Sequence, residues 1–152
     1  MHPYPHTYRA AATGTASGSV AVTSAGLPEI RTAAPPQFDG PEGFWSPETL
    51  LCAAVADCYI LTFRALSRPA RLQWLELTCR VEGALERVDG IPQFTHYALF
   101  ADLTVPEGTD VEKARSLLEK TETSCLVSNS LRGSRTLSAR VVTAVAAQAL
   151  AH

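Results

Sequence analysis

Three spacings of hydrophobic residues carry most of the structural information in this chain. From Leu75 to Leu85 the positions alternate: Leu75, Leu77, Cys79, Val81, Gly83 and Leu85 fall on one side, and Glu76, Thr78, Arg80, Glu82 and Ala84 on the other. That period of two is the mark of a half-buried strand. Asp89-Gly90 supplies a turn, and Phe94 to Val105 returns as the antiparallel partner, closing at Pro106 to Gly108. From Leu50 to Leu66 the spacing changes to a helix that is apolar on nearly every side, which in a soluble chain runs through the core or between subunits. One polar stripe interrupts it, at Asp57 and Arg64, separated by a rise of roughly 10 Å. The third spacing, Val111, Ala114, Leu117 and Leu118, predicts an amphipathic helix reaching about Lys120, opened by a capping box from Thr109 to Glu112.

Breakers divide the remainder. Thr7–Thr13, Ser19–Ser24 and Glu29–Ala33 are short runs separated by Gly14, Gly18 and Gly26 to Pro28, and they predict an N-terminal antiparallel meander. Ala34 to Gly43 holds three prolines and two glycines and is a loop leading into the long helix. Ser46 caps that helix, Pro47 suits its first position and Glu48 complements its positive end. Further on, Ser128–Leu131 predicts one helical turn and Leu137–Val145 a closing strand, with an Ala-rich tail that frays toward His152. These elements predict an α+β fold, antiparallel sheets around a long buried helix, in a single domain over residues 1–152.

Composition narrows the partners. With 46% hydrophobic and 18% charged residues, the balance is that of an ordinary globular core. A formal charge of −2 and a pI near 6.1 offer no basic surface for nucleic acid or anionic lipid, so neither is expected as a partner. The first residues lack the basic-then-apolar layout of a secretion signal, and Glu48, Asp57 and Arg64 interrupt the longest apolar stretch, so a cytoplasmic protein without a membrane span is expected. Four cysteines, at 52, 58, 79 and 125, include no C-x-x-C, and the four histidines are not in zinc-ligand spacing. No metal or other cofactor is expected, and in a reducing compartment any disulfide would be transient and catalytic.

The four thiols differ in setting. Cys58 shares its helix face with Leu51, Ala54, Val55, Leu61, Thr62 and Ala65, where a cysteine ordinarily fills space. Cys52, six residues earlier, points about 240° away around the helix, so the two cannot pair within it. Cys79 lies on the inward row of a strand between Leu77 and Val81, and packing accounts for it as for Cys52. Cys125 follows a helix exit, in a hinge-like segment able to approach another thiol. On these grounds alone, Cys58 reads as packing and Cys125 as an incidental loop cysteine.

Four short words change that balance: Phe38-Asp-Gly-Pro41, Trp45-Ser-Pro-Glu-Thr-Leu-Leu51, Ala56-Asp-Cys-Tyr59 and Ser124-Cys-Leu-Val-Ser-Asn-Ser-Leu131. Together they resemble the osmotically inducible protein C / organic hydroperoxide resistance family, over roughly His6 to Ala144. The resemblance implies an intertwined homodimer and a thiol peroxidase in which Cys58 attacks the hydroperoxide and Cys125 resolves the sulfenic acid as a disulfide. It also implies an external dithiol as reductant, lipoyl-linked in related proteins. Glu48 matches an acidic residue of the family that holds an arginine and a substrate oxygen.

The resemblance further implies an arginine that offsets the burial of the reactive thiol, from the N-terminal sheet or just before the Phe-x-Gly word. Ser19 or Val20, and Gln37, stand there instead. Arg31, followed by Arg9, is the nearest replacement, whereas Arg64 falls on another face of the helix from Cys58. Ten helical residues separate Glu48 from Cys58 by roughly 15 Å, so Glu48 reaches a reactive thiol only from a second subunit or across a helix break. On local grounds alone it is a sufficient helix-start charge. The missing arginine leaves a second expectation beside the peroxidase: a relative with lost or altered chemistry that binds an apolar small molecule at the dimer interface. Phe38, Phe44, Trp45 and Tyr59 would give either one an apolar rim.

Overall fold

The computed structural model describes residues 2–144, so the end of the expected closing strand at Val145 and the Ala-rich tail lie outside the described residues. The chain forms two compact units that meet between Leu51 and Cys52, within one long helix.

The first unit carries β1 (Ala11–Thr13), β2 (Val20–Thr23) and β3 (Ile30–Thr32), paired antiparallel in the order β1-β2-β3. The meander is present with shorter strands than the sequence runs allow. Beyond it, the breaker-rich segment turns tightly: a 3-10 turn at Pro36–Phe38 ends in Asp39 at φ 59°, and Gly40 packs so closely on Ala34 that a Cβ there would lie 1.7 Å from the Ala34 carbonyl oxygen. The Ala33 N–H donates to the Trp45 carbonyl at 2.9 Å and returns the chain to the start of α1 (Pro47–Ala70). The helix cap is reciprocal: the Thr49 N–H donates to Ser46 Oγ at 3.2 Å, and the Ser46 N–H to Thr49 Oγ1 at 2.9 Å.

α1 extends past the expected Leu66, with Pro69 tolerated in its last turn. It buries one stripe, Val55, Tyr59, Phe63 and Ser67, at the i, i+4 spacing of a single face. The expectation of a helix buried all round therefore holds along that stripe alone within one chain; Leu61 remains 49% exposed. By length and mean hydropathy, 1.6 over its apolar window, α1 is long and apolar enough to cross a bilayer, a test that the core helix of a soluble protein also passes. Asp57 and Arg64 are both exposed, and no ion pair joins them among the described residues.

The second unit contains the larger sheet, β4 (Glu76–Val88), β5 (Ile91–Val105) and β6 (Ser134–Thr143), in the order β4-β5-β6. The β4–β5 hairpin is antiparallel with Leu77 opposite Leu103 and Cys79 opposite Ala101, whereas β6 joins β5 in parallel. That parallel pairing departs from the expected all-antiparallel sheets. It follows from α2 (Val111–Ser124) and α3 (Leu126–Asn129), which carry the chain back to the start of the sheet before β6 begins. The alternation of β4 holds from Leu77 to Gly83; the register shifts at Ala84/Leu85, and Leu75 and Leu85 are exposed at 60% and 39%.

α2 is capped by Asp110, whose Oδ1 accepts from the Lys113 N–H at 3.0 Å, rather than by the expected Thr109–Glu112 box, and it runs on to Ser124. α3 begins two residues before the predicted turn. The core of this unit collects Val55, Tyr59 and Phe63 of α1, Leu77 of β4, Tyr97, Leu99, Ala101, Leu103 and Val105 of β5, and Ala114 and Leu118 of α2, all buried.

Candidate active site

Tyr59 and Cys58 are neighbours on α1, so one faces the core while the other lies at its margin. Tyr59 is fully buried and its hydroxyl donates to the Leu118 carbonyl at 2.9 Å, tying α1 to α2. Cys58 is partly exposed, with its sulfur 3.9 Å from Thr62 Oγ1 one turn along. Across from it stands Cys125, the single residue between α2 and α3, in extended backbone geometry at φ −68° and ψ 111°.

The Cys58 thiol lies close enough to Cys125 to raise its pKa. The sequence places Cys125 in a loop open to approach; the structure places it in the same hinge but fully buried. Ser128 Oγ donates to Cys125 Sγ at 3.2 Å, and the Asn129 N–H to the Cys125 carbonyl at 2.9 Å. Burial pushes the Cys125 thiol up, the Ser128 hydroxyl and N–H act against it, and the adjacent Cys58 raises it further. Cys125 is thereby kept as a protonated thiol, suited to follow rather than lead. All four cysteines are free thiols in this structure.

The other two thiols are packed. Cys52 lies against Gly83, where an added Cβ would come within 3.0 Å of Cys52 Sγ and 2.7 Å of Phe94 Cε1, so the helix approaches the strand closely because Gly83 has no side chain. Burial raises the Cys52 thiol, against a lowering contact from the Gly83 backbone. Burial also pushes Cys79 up to about 12, with a smaller contribution from Cys125.

Arg31 and Glu48 belong to the first unit and do not pair with each other among the described contacts. Arg31 Nε lies 2.7 Å from Glu29 Oε1, and its Nη1 donates to Ser19 Oγ at 3.4 Å. Glu48 Oε2 is buried without a hydrogen-bond partner, and α1 is unbroken from Glu48 to Cys58, which removes the helix break as a way to join them. Among the described residues no three His, Cys, Asp or Glu side chains converge to hold a metal.

Two hydroxyls at the site, Thr62 and Ser128, were not singled out from the sequence. Their spacing carries the signal, four residues after Cys58 and three after Cys125, where a helical turn brings side chains together.

The family model described as OsmC-like protein matches residues 40–139, and the chain belongs to that family. Its similarity extends to the uncharacterized protein YmaD of Bacillus subtilis, 28% identical over 125 residues, covering 79% of this chain and 77% of the relative. Among solved structures, an OsmC-like protein of unknown function from Vibrio cholerae superposes with a TM-score of 0.79 at 18% identity, covering 91% of this chain and 100% of that one. An organic hydroperoxide resistance protein OsmC from Legionella pneumophila gives 0.71 at 26% identity, covering 91% and 98%. The α+β fold is thus the OsmC-like fold, and this membership supports a redox-related role.

Proposed function

We propose that the protein is a cysteine-based thiol peroxidase that reduces organic hydroperoxides. The observation that carries this reading is that Cys58 lies near enough to the buried Cys125 thiol, on an element far away in sequence, to influence it. Cys58, the more exposed of the two, attacks as thiolate on the peroxide oxygen; the O–O bond breaks and the alkoxide leaves as alcohol after taking a proton. The Cys58 sulfenic acid then meets the Cys125 sulfur, a disulfide forms and water leaves. An external dithiol, lipoyl-linked by analogy with the family, supplies the two electrons that restore both thiols and is itself oxidised to a disulfide. No cofactor takes part in this cycle.

Arg31 is assigned as the cation at the site, and Glu48 as the acid that acts there from a second subunit. The unpartnered buried oxygen of Glu48 favours an arrangement completed by another chain. So do the exposed apolar positions of α1, among them Leu61, since a homodimer covers such a face. The reading is of a single OsmC-like domain, cytoplasmic and dimeric, engaging neither nucleic acid nor membrane.

The test is titration of reduced protein with cumene hydroperoxide and, separately, hydrogen peroxide, with free thiols counted and disulfides mapped by peptide mass. Loss of two thiols into a Cys58–Cys125 link, faster with the organic peroxide, is expected. Slow, unselective oxidation of all four cysteines would sink the peroxidase and put forward the alternative, an OsmC-like protein that binds an apolar small molecule at the dimer interface.

A further inference from the structure

We propose that Arg135 is a positioning residue for the resolving thiol: with Glu122 and Asn129 it forms a polar clamp that straddles Cys125 and holds its sulfur at Cys58. The role of the clamp in resolution rests on the peroxidase reading; its geometry does not.

Cys125 is the only residue between α2 and α3, so its position is set by the ends of those two helices. Both ends are tied to one side chain of β6. Arg135 Nε lies 2.6 Å from Glu122 Oε1 in the last turn of α2, an ion contact that is not aligned as a hydrogen bond. The same guanidinium donates from Nη2 to Asn129 Oδ1, at the end of α3, at 3.1 Å. Asn129 closes the ring by donating from Nδ2 to the Thr123 carbonyl at 3.0 Å. Arg135 itself is fixed by the sheet, in register with Tyr97 of β5.

Two features make this more than a surface ion pair. The side chains of Arg135 and Glu122 are only 21% and 17% exposed, so solvent screens them little, and removing one would leave the other poorly compensated. Moreover, no basic residue occupies the last turn of α2, so Arg135 supplies from the strand the positive charge that complements this helix end. A cavity of about 370 Å³ opens beside the clamp, lined by Glu122, Asn129, Leu131, Gly133, Ser134 and Arg135, so polar contacts rather than packing hold the hinge on that side.

Resolution depends on how much of the time Cys125 spends at the Cys58 sulfenic acid, which is a matter of effective concentration. A loosened hinge leaves that sulfenic acid waiting, open to further oxidation by a second peroxide to the sulfinic acid.

The experiment compares wild type, Arg135→Gln, Arg135→Lys and Asn129→Ala by two measurements. In fully reduced protein, the rate of alkylation by iodoacetamide is followed at each cysteine by peptide mass. In single-turnover reactions with cumene hydroperoxide, dimedone traps the sulfenic acid while the disulfide is counted. Arg135→Gln is expected to expose Cys125 to alkylation about tenfold faster, with Cys52 and Cys79 unchanged, through local opening of the hinge. Disulfide formation slows by a similar factor, first oxidation of Cys58 stays within about twofold, and Arg135→Lys recovers part of the loss because it keeps the charge on Glu122. Unchanged Cys125 alkylation in Arg135→Gln and Asn129→Ala would overturn the proposal, as would a rise at all four cysteines together. If Arg135→Gln does not fold, Asn129→Ala decides alone: faster alkylation confined to Cys125 supports the clamp, and no change overturns it. A wild type that forms no Cys58–Cys125 link, while the variants still expose Cys125, refutes the peroxidase and leaves the clamp standing.

Discussion

Cys52 and Cys58 stand six residues apart on one helix, yet they meet opposite surroundings. Cys52 is partly exposed like Cys58 but lies beside Gly83 of the facing strand, where burial raises its thiol. Cys58 is partly open, with a hydroxyl one turn away and a second thiol across from it. Helix context is nearly the same for the two, so it does not distinguish them. What differs is the element facing each: a strand with a glycine in one case, a hinge between two helices in the other.

The sharpest way to break this comparison is to exchange the two thiols for alanine in turn. Cys58→Ala is expected to lower cumene hydroperoxide turnover by at least about a hundredfold, since no other nucleophile replaces the thiolate, while Cys52→Ala keeps turnover within about twofold. Equal losses in coupled peroxidase assays would mean that the packed thiol takes part in the chemistry. Cys125→Ala sharpens the same contrast from the other side: one equivalent of peroxide is consumed and a Cys58 sulfenic acid remains, visible by dimedone labelling.

Next in size is Gly83→Ala. The new methyl group would lie 2.7 Å from Phe94 Cε1 and 3.0 Å from Cys52 Sγ, so the helix or the ring must shift. Overpacking of this kind costs about 1–3 kcal/mol, measurable by urea unfolding. If Cys52 is what resists, the double variant with Cys52→Ala recovers part of that cost. Tyr59→Phe removes the hydrogen bond to the Leu118 carbonyl, and a loss of roughly 1 kcal/mol is expected in the same measurement.

The smallest effect is alkaline. Cys79, raised to about 12 by burial and by Cys125, keeps its proton in the folded protein at pH values where the unfolded chain has released it. Its contribution is therefore complete below about pH 9, the ordinary thiol value, and is lost progressively as the pH rises from there toward 12. Thermal unfolding between pH 8 and 11 should show a steeper fall in Tm for the wild type than for Cys79→Ala. Parallel curves would show that Cys79 does not carry this linkage.

Much of the architecture was legible because it is written in local periodicity. The alternation around Cys79 specifies a strand, since side chains on a strand change face at every residue; Ser46, Pro47 and Glu48 specify a helix start, since they satisfy or complement free N–H groups there. Those rules reach only a few residues. They gave no account of why β6 lies parallel to β5, because that depends on where two intervening helices return the chain. They placed the start of α2 near Thr109 but missed that Asp110 provides the cap, a choice made by the backbone angle of one residue.

The sequence by itself determined the order of strands and helices, the long apolar helix and, through its resemblance to the OsmC family, the two cysteines of interest. Only the tertiary structure decided that Cys125 is buried near Cys58, that Cys52 is held against a glycine, and that Arg135 ties together the two helix ends around Cys125. The physical reason is range: hydrophobic period and capping act over one or two turns, whereas a thiol's neighbours and its desolvation are set by residues that are remote in the chain and meet only when the core closes.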